Sequence, residues 1–243
     1  MSFLKLLLGI GIVLAGCSKS PEVAGVPESV PGPDPALPQP PPSAGPRYIA
    51  LGDSYTIGQS VGETERFPYL LAARLHDSGY HVGTLRYIAR TGWTTDELQA
   101  AIYNENPQGP YEIVTLLIGV NDQYRGRDTA SYAPRFTQLL EKAISLAGGR
   151  RSQVFVLSIP DYSATPYVAP ADKAAVSRAI DDFNRVNRRI TEGYGVSYTD
   201  ITPHTRLAAT DASLLANDGL HYSAREHAVW ADRLLPKVAA ALR

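Results

Sequence analysis

Three side chains in two short segments could together carry out nucleophilic chemistry. Ser54 ends the segment Leu51-Gly52-Asp53-Ser54, and His221 follows Asp218 by three residues near the C-terminus. A serine hydroxyl is a weak nucleophile until a base takes its proton, and histidine is the usual base. A carboxylate three residues before the histidine can turn back to its Nδ1 and leave Nε2 free for the serine. The types and spacing therefore predict a nucleophile, a base and an orienting acid.

An acyl-transfer reaction also needs hydrogen-bond donors for the oxyanion that the attack creates. The candidates are the backbone N–H of Ser54, the backbone N–H of Gly92 and the side-chain amide of Asn121. Each has a structural alternative, since Gly-Asp-Ser and Asn-Asp are common turn sequences and a glycine often supplies a positive φ. The coincidence of nucleophile, base, acid and donors favours the catalytic interpretation.

Alternating strand and helix patterns predict the elements that would position these residues. The strands are expected at 48–51, 82–89, 113–118, 154–159 and 196–200, and the helices at 68–77, 94–102, 132–146, 172–192 and 223–242. Thr94 with Glu97, and Ser223 with Glu226, have the spacing of capping boxes at two helix starts. Five strands separated by helices predict a parallel, doubly wound α/β sheet, whose functional groups gather at the carboxyl ends of its strands.

These segments resemble the blocks of the SGNH, or GDSL-type, hydrolases in order and approximate spacing, over the whole region from residue 48 onward. The resemblance implies a flavodoxin-like three-layer α/β/α sandwich with a five-stranded parallel sheet. It implies that Ser54, Asp218 and His221 are the catalytic triad, and that Ser54, Gly92 and Asn121 form the oxyanion hole. Tyr55 stands where the family name has leucine, and we expect it to affect packing or the pocket mouth. The segment around Ser54, Gly52-Asp53-Ser54-Tyr55-Thr56, does not have the Gly-x-Ser-x-Gly pattern of the α/β-hydrolase elbow.

The N-terminus resembles the signal peptide of a bacterial lipoprotein. Lys5 precedes an apolar run at 6–14, and the small residues Ala15 and Gly16 come directly before Cys17. The run is short for a membrane span, and its order is that of a signal peptide. We expect cleavage after residue 16, lipidation of Cys17, and an anchor in the cell envelope of a Gram-negative bacterium, with Ser18 favouring the outer membrane. A plain secretory signal with an incidental cysteine is the alternative.

Three regions follow from this pattern: a signal peptide at 1–16, a lipidated cysteine and proline-rich tether at 17–46, and a hydrolase domain at 47–243. Proline excludes helix and central strand from the tether and favours extended conformations, so we expect a spacer. A proline-rich ligand for a partner domain is the alternative.

The composition of the chain limits the kinds of partner and cofactor that we expect. The formal net charge is −1 and no broad basic stripe appears, so we expect no nucleic-acid partner. A single cysteine excludes an intrachain disulfide. We expect no cofactor and no metal, because Asp53, Asp122 and Asp218 lack an accompanying ligand motif. We expect a monomer, and packing or surface roles for the other histidines, which have no comparable partner pattern: His76, His81, His204 and His227.

Three functions remain open at this point. The leading one is hydrolysis of a small-molecule, lipid or glycan carboxylic ester through an acyl-Ser54 intermediate. The second is acyl transfer or deacetylation on an envelope glycan, and the third is a non-catalytic lipoprotein that binds lipid or glycan. The substrate depends on pocket walls that we expect from the loops at 123–130 and 161–171, which contain Tyr124, Tyr162 and Tyr167.

Overall fold

The computed structural model describes residues 45–243, so the predicted signal peptide, Cys17 and nearly all of the tether lie outside the described residues. One sheet of five parallel strands runs in the order β2-β1-β3-β4-β5. This is the flavodoxin-like strand order, and it confirms the predicted fold class. The strands are β1 (Arg47–Gly52), β2 (Thr84–Ala89), β3 (Ile113–Leu117), β4 (Val154–Leu157) and β5 (Ser197–Thr199).

Helices cover both faces of the sheet. On one side α2 packs against α8, and on the other α5 packs against α3 and α6. In the described part of the chain, the helices do not combine the length and apolarity that a membrane span requires. Their bounds are α1 (Ser54–Ile57), α2 (Phe67–Asp77), α3 (Thr95–Glu105), α4 (Val120–Tyr124), α5 (Thr129–Leu146), α6 (Lys173–Gly193), α7 (Thr202–Thr205) and α8 (Ala224–Ala241).

The central strands are buried on both faces, as their nearly continuous apolar sequence predicts. All side chains of β3 and β4 are buried, and in β1 only Arg47 reaches solvent. Within this core the Tyr48 hydroxyl lies 3.0 Å from the Thr115 hydroxyl, so the one polar atom of each side chain is satisfied across the sheet. The result is a rigid platform beneath the loops at the carboxyl end.

One predicted helix cap is confirmed and the other is wrong. At the start of α3 the Thr94 N–H donates to Glu97 Oε2 at 2.8 Å, as a capping box requires. At the start of α8 the Ser223 hydroxyl instead donates to the Ser213 carbonyl oxygen. Glu226 is fully buried and accepts from the Trp230 indole N–H at 2.8 Å. The carboxylate that local spacing assigned to the cap is therefore bound within α8 by Trp230 and across the fold by His204, whose Nδ1 lies 2.6 Å from Glu226 Oε2.

The register of the sheet aligns the strand ends that carry the candidate residues. Gly52 of β1 pairs with Ala89 of β2 on one side and with Leu117 of β3 on the other. The loops after these three strands therefore begin at the same level, at the carboxyl edge of the sheet. The strand order reverses direction around β1, and clefts form at such switch points.

Candidate active site

Ser54 is presented by an abrupt turn from strand to helix. It is the first residue of α1, directly after the strand end at Gly52, and it is 5% exposed. Asp53 caps α1 by accepting the Tyr55 N–H at 3.0 Å. A Cβ at Gly52 would collide with the Thr56 side chain and with the Leu117 carbonyl oxygen. The glycine is therefore required for β1, α1 and β3 to approach so closely.

Asp218 and His221 form the pair that their spacing predicts. His221 Nδ1 lies 2.6 Å from Asp218 Oδ2, while Asp218 Oδ1 accepts the N–H groups of Leu220 and His221 at 3.0 and 2.9 Å. Gly219 closes this turn at φ +68°. Although partial burial alone raises the pKa of Asp218, the hydrogen bonds from Ser60, Leu220 and His221 hold that pKa well below its usual range. An ionised Asp218 only accepts, so His221 Nδ1 donates and Nε2 is left to accept a proton.

Ser60 is a partner of this pair that the sequence did not indicate. Its hydroxyl donates to Asp218 Oδ2 at 2.6 Å, across 158 residues of chain. Its backbone has a φ of +68°, which is uncommon for a residue with a side chain. Ser60 follows α1 closely, so it links the turn that presents Ser54 to the acid that orients His221.

The remaining donors come from the loops after β2 and β3. Gly92 has a φ of +85°, and Asn121 lies in the first turn of α4 after Gly119 at φ +126°. Asn121 Nδ2 donates one hydrogen to the Trp93 carbonyl oxygen at 3.0 Å, and an amide has a second to give. Arg125 Nη2 donates to the Gly92 carbonyl oxygen at 2.6 Å. These two bonds fix the two loops to one another.

A pocket of about 100 Å³ brings Ser54, Asn121 and His221 together. Its walls also contain Val120 and Leu220. Gly92 and Asp218 are not among the lining residues. Asp218 contacts the site through His221, whereas the carbonyl oxygen of Gly92 is bound to Arg125, which does not line the pocket either. Four tyrosines complete the lining: Tyr55, Tyr124, Tyr162 and Tyr167.

Tyr55, the departure from the family name, is a buried packing residue. It is 3% exposed and its ring contacts the edge of His221 with a centroid distance of 5.8 Å. It also packs against Tyr222 and Trp230. Both parts of the expectation for this position therefore hold: Tyr55 supports the base from within the core and lines the pocket.

Asp53 is buried beside the candidate nucleophile. Its Oδ2 has no hydrogen-bond partner among residues 45–243. Burial raises the pKa of Asp53 to about 8, and the nearby Asp122 adds to this, while the Tyr55 N–H opposes it. At neutral pH the raised pKa favours the protonated form, which carries no negative charge beside Ser54.

Asp122 joins two helices near the pocket. It accepts the Thr95 N–H at 2.9 Å, the Thr95 hydroxyl at 2.7 Å and Arg127 Nη1 at 2.8 Å. It thereby holds the start of α3 against α4, which carries Asn121. Among the described residues, Asp53, Asp122 and Asp218 do not form part of any cluster suited to a metal ion.

Three of the four other histidines have side-chain partners in the structure, although the sequence shows no partner pattern for them. His204 Nδ1 lies 2.6 Å from Glu226 Oε2, and His81 Nδ1 lies 2.8 Å from His76 Nδ1. His227 is buried in the core, where burial lowers its pKa to about 3 and its Nδ1 accepts the Phe67 N–H. The partners lie far along the chain or have no motif spacing, so a sequence pattern could not reveal them.

Comparison with known proteins places the chain in a family. Residues 50–229 match the GDSL-like lipase/acylhydrolase family, and the chain belongs to it. The fold and this match define a hydrolase of the GDSL type. A search of curated protein sequences found no significant match.

Solved structures share the fold at low sequence identity. A phospholipase A1 from Streptomyces albidoflavus is 20% identical with a TM-score of 0.62, covering 82% of this chain and all of its own. A mutant of an acetyl-xylooligosaccharide esterase from Geobacillus is 19% identical with a TM-score of 0.63, covering 81% of this chain and 95% of its own. An extracellular lipase from Streptomyces rimosus is 20% identical with a TM-score of 0.59, covering 81% and 99%. At such identities these structures support the fold and do not assign a substrate.

Proposed function

We propose that the protein hydrolyses carboxylic esters through an acyl intermediate on Ser54. One observation carries the proposal: Ser54, His221 and Asn121 line a single pocket, and Asp218 is hydrogen-bonded to the far side of the His221 ring. Membership of the GDSL-like family supports a hydrolase.

In the first half-reaction Ser54 Oγ attacks the ester carbonyl carbon and its proton passes to His221 Nε2. The oxyanion accepts hydrogen bonds from the Ser54 N–H group and from Asn121 Nδ2, which both belong to pocket residues; the Gly92 N–H group, outside the pocket lining, is the third donor that the family resemblance implies. The bond to the alcohol oxygen then breaks, and His221 returns its proton to that oxygen. In the second half-reaction a water loses its proton to His221 and attacks the acyl carbon, which releases the acid and restores the Ser54 hydroxyl. Asp218 stays ionised throughout, as its low pKa favours.

Ser54→Ala tests the nucleophile. We expect the variant to lose turnover of activated aryl esters and labelling by a fluorophosphonate probe, because no other group would form the acyl or phosphonyl bond. The exposed Ser145→Ala on α5 is the matched control and should retain both. Labelling of Ser54→Ala at the wild-type rate would remove Ser54 from its role.

Asn121→Ala tests the oxyanion donor. Losing one such donor lowers kcat by about 10²–10³ with little change in KM, because the bond strengthens only in the transition state. The measurement is steady-state kinetics on a short-chain aryl ester. An unchanged kcat would assign Asn121 only to the bond with Trp93.

We also propose that Cys17 anchors the protein in the cell envelope, on the strength of the signal-peptide and lipobox resemblance at residues 1–17. Metabolic labelling with an alkyne fatty acid in a Gram-negative host is expected to modify the wild type but not Cys17→Ser. The variant should leave the membrane fraction. Equal membrane association of both proteins, without labelling, would support the plain secretory signal instead.

A further inference from the structure

We propose that the pocket favours short acyl groups, because it is small and three tyrosines line it together with Ser54. We call Tyr124, Tyr162 and Tyr167 the tyrosine wall. The inference rests on the proposed function and names the substrate class of the same site: esters of short carboxylic acids.

The volume of the pocket limits the length of the acyl group that it can hold. The pocket holds about 100 Å³. An apolar cavity of about 150 Å³ admits benzene, with its six carbons, so by proportion this pocket has room for about four carbons. Sites for larger ligands are several times greater, at roughly 300 Å³ and above. An acetyl to butyryl group fits within this volume, whereas an octanoyl group extends beyond it.

Two hydroxyl contacts and two ring contacts hold the wall together. The hydroxyls of Tyr124 and Tyr167 lie 2.9 Å apart, and the Tyr162 hydroxyl donates to Gln123 Oε1 at 2.9 Å. The Tyr124 ring contacts the edge of Tyr162 at a centroid distance of 6.2 Å and is tilted against Tyr167 at 6.4 Å. These contacts join the end of α4 to the loop after β4, so the pocket is bounded by two separate loops.

The three residues of the tyrosine wall differ in how far their side chains are exposed to solvent. Tyr162 is 6% exposed, while Tyr124 and Tyr167 are 56% and 53% exposed. The two outer residues therefore face both pocket and solvent, and removing one of them opens the pocket without cutting into the core.

The acyl group, rather than the alcohol, is what the wall bounds. The acyl group stays bonded to Ser54 Oγ through both half-reactions, so it must fit in the cavity that contains Ser54. The alcohol leaves after the first half-reaction and needs an open path. Val120 and Leu220 beside the tyrosine rings give this cavity the apolar lining that suits a short alkyl chain.

The test is a series of p-nitrophenyl esters from acetate to dodecanoate, hydrolysed by the full-length chain. We expect kcat/KM to be highest from acetate to butyrate and at least about tenfold lower for octanoate, since a methylene that does not fit costs this much or more. Tyr167→Ala should raise the octanoate-to-acetate ratio of kcat/KM about tenfold, and Tyr124→Phe should raise it less, because the rings remain. Tyr103→Ala, an 84% exposed tyrosine on α3 away from the pocket, is the control and should leave the ratio unchanged.

The following results would overturn the inference. A wild-type preference for octanoate or longer overturns the inference, as does an unchanged ratio in a folded Tyr167→Ala protein, or an equal change in Tyr103→Ala. Tyr167→Ala could instead change the preference among acetate esters of different alcohols and leave the preference among acyl groups unchanged. The tyrosine wall would then bound the alcohol, and the inference would again be overturned. If the wild type hydrolyses none of the series and takes up no fluorophosphonate, the proposed function itself has failed, which is a separate outcome.

Discussion

At the scale of single residues, the candidate site depends on hydrogen bonds that reach Asp218 and on the protonation of its neighbours. Asp218 receives donors from its own turn and from Ser60, which lies close to the nucleophile in sequence. The residues that we propose as acid, base and nucleophile are therefore linked through Ser60 and the short segment that joins it to α1. This arrangement makes Ser60 a positioning residue rather than a catalytic one.

Ser60→Ala removes one donor from Asp218 Oδ2. We expect Asp218 to orient His221 less firmly, because the Ser60 hydroxyl and His221 Nδ1 both bind Asp218 Oδ2. At pH 7.5 we expect a fall of about three- to tenfold in kcat/KM, which corresponds to ~1 kcal/mol for a partly exposed hydrogen bond to a charged group. The measurement is kcat/KM at pH 7.5 on a short-chain aryl ester.

Ser60→Gly is the matched control, because it also lacks the hydroxyl but adopts φ +68° without strain. The two variants should share the fall in kcat/KM. If only the alanine variant is impaired, the cause is a change of backbone conformation at this position and not the lost donor.

At the scale of elements, the site is assembled from loops that follow adjacent strands. The β1–β2 and β1–β3 registers bring Gly52, Ala89 and Leu117 level, and the short helix α4 then carries Asn121 toward Ser54. Asp122 on the same helix binds the start of α3. The orientation of the oxyanion donors therefore depends on how α4 is held against α3.

Asp122→Ala should destabilise the fold by about 3 kcal/mol, because it leaves buried donors on Thr95 and a cation on Arg127 without their partner. Urea unfolding at neutral pH measures this. Asp96→Asn, which alters a half-exposed carboxylate bound to Arg127 and Arg135, is the control and should cost under about 1 kcal/mol. Equal effects of the two substitutions would contradict a special role for Asp122.

At the scale of the whole molecule, burial couples the folding equilibrium to pH. Asp53 has a pKa of about 8 in the folded state, above its ordinary 3.8. Between these two values the folded protein keeps a proton that the unfolded chain releases. The contribution of Asp53 is therefore fully present below about pH 4 and is lost as the pH rises toward 8.

Asp53→Asn should remove this pH dependence, because the amide resembles the protonated acid and does not titrate. From pH 5 to 8 we expect the free energy of unfolding of the wild type, relative to the variant, to fall by up to about 1.4 kcal/mol per pH unit. Urea unfolding across this range is the measurement, with the exposed Asp77→Asn as control. Parallel curves for wild type and Asp53→Asn would show that Asp53 is ionised in the folded protein at neutral pH.

Much of the architecture could be predicted from local pattern. The five strands and the helices α2, α3, α5, α6 and α8 follow hydrophobic periodicity, so their presence is determined by which face each must bury. The helices α1, α4 and α7 have four or five residues, too few to display a helical period, and they were not predicted. The capping box predicted at Ser223 was also wrong, because Glu226 makes buried contacts that depend on the fold.

The sequence by itself determined the fold class and the residues whose chemistry suits acyl transfer, because strand pattern and the Asp218–His221 spacing are local properties. The turn at Gly92 is likewise a local feature. The tertiary structure alone decided which distant groups meet: Ser60 with Asp218, Arg125 with Gly92, and Tyr124 with Tyr167. Such contacts depend on the register and order of the strands, which bring together loops from separate parts of the chain. Ser54 is thus identified by its neighbours in sequence, while the size of the pocket it faces is set by residues more than sixty positions away.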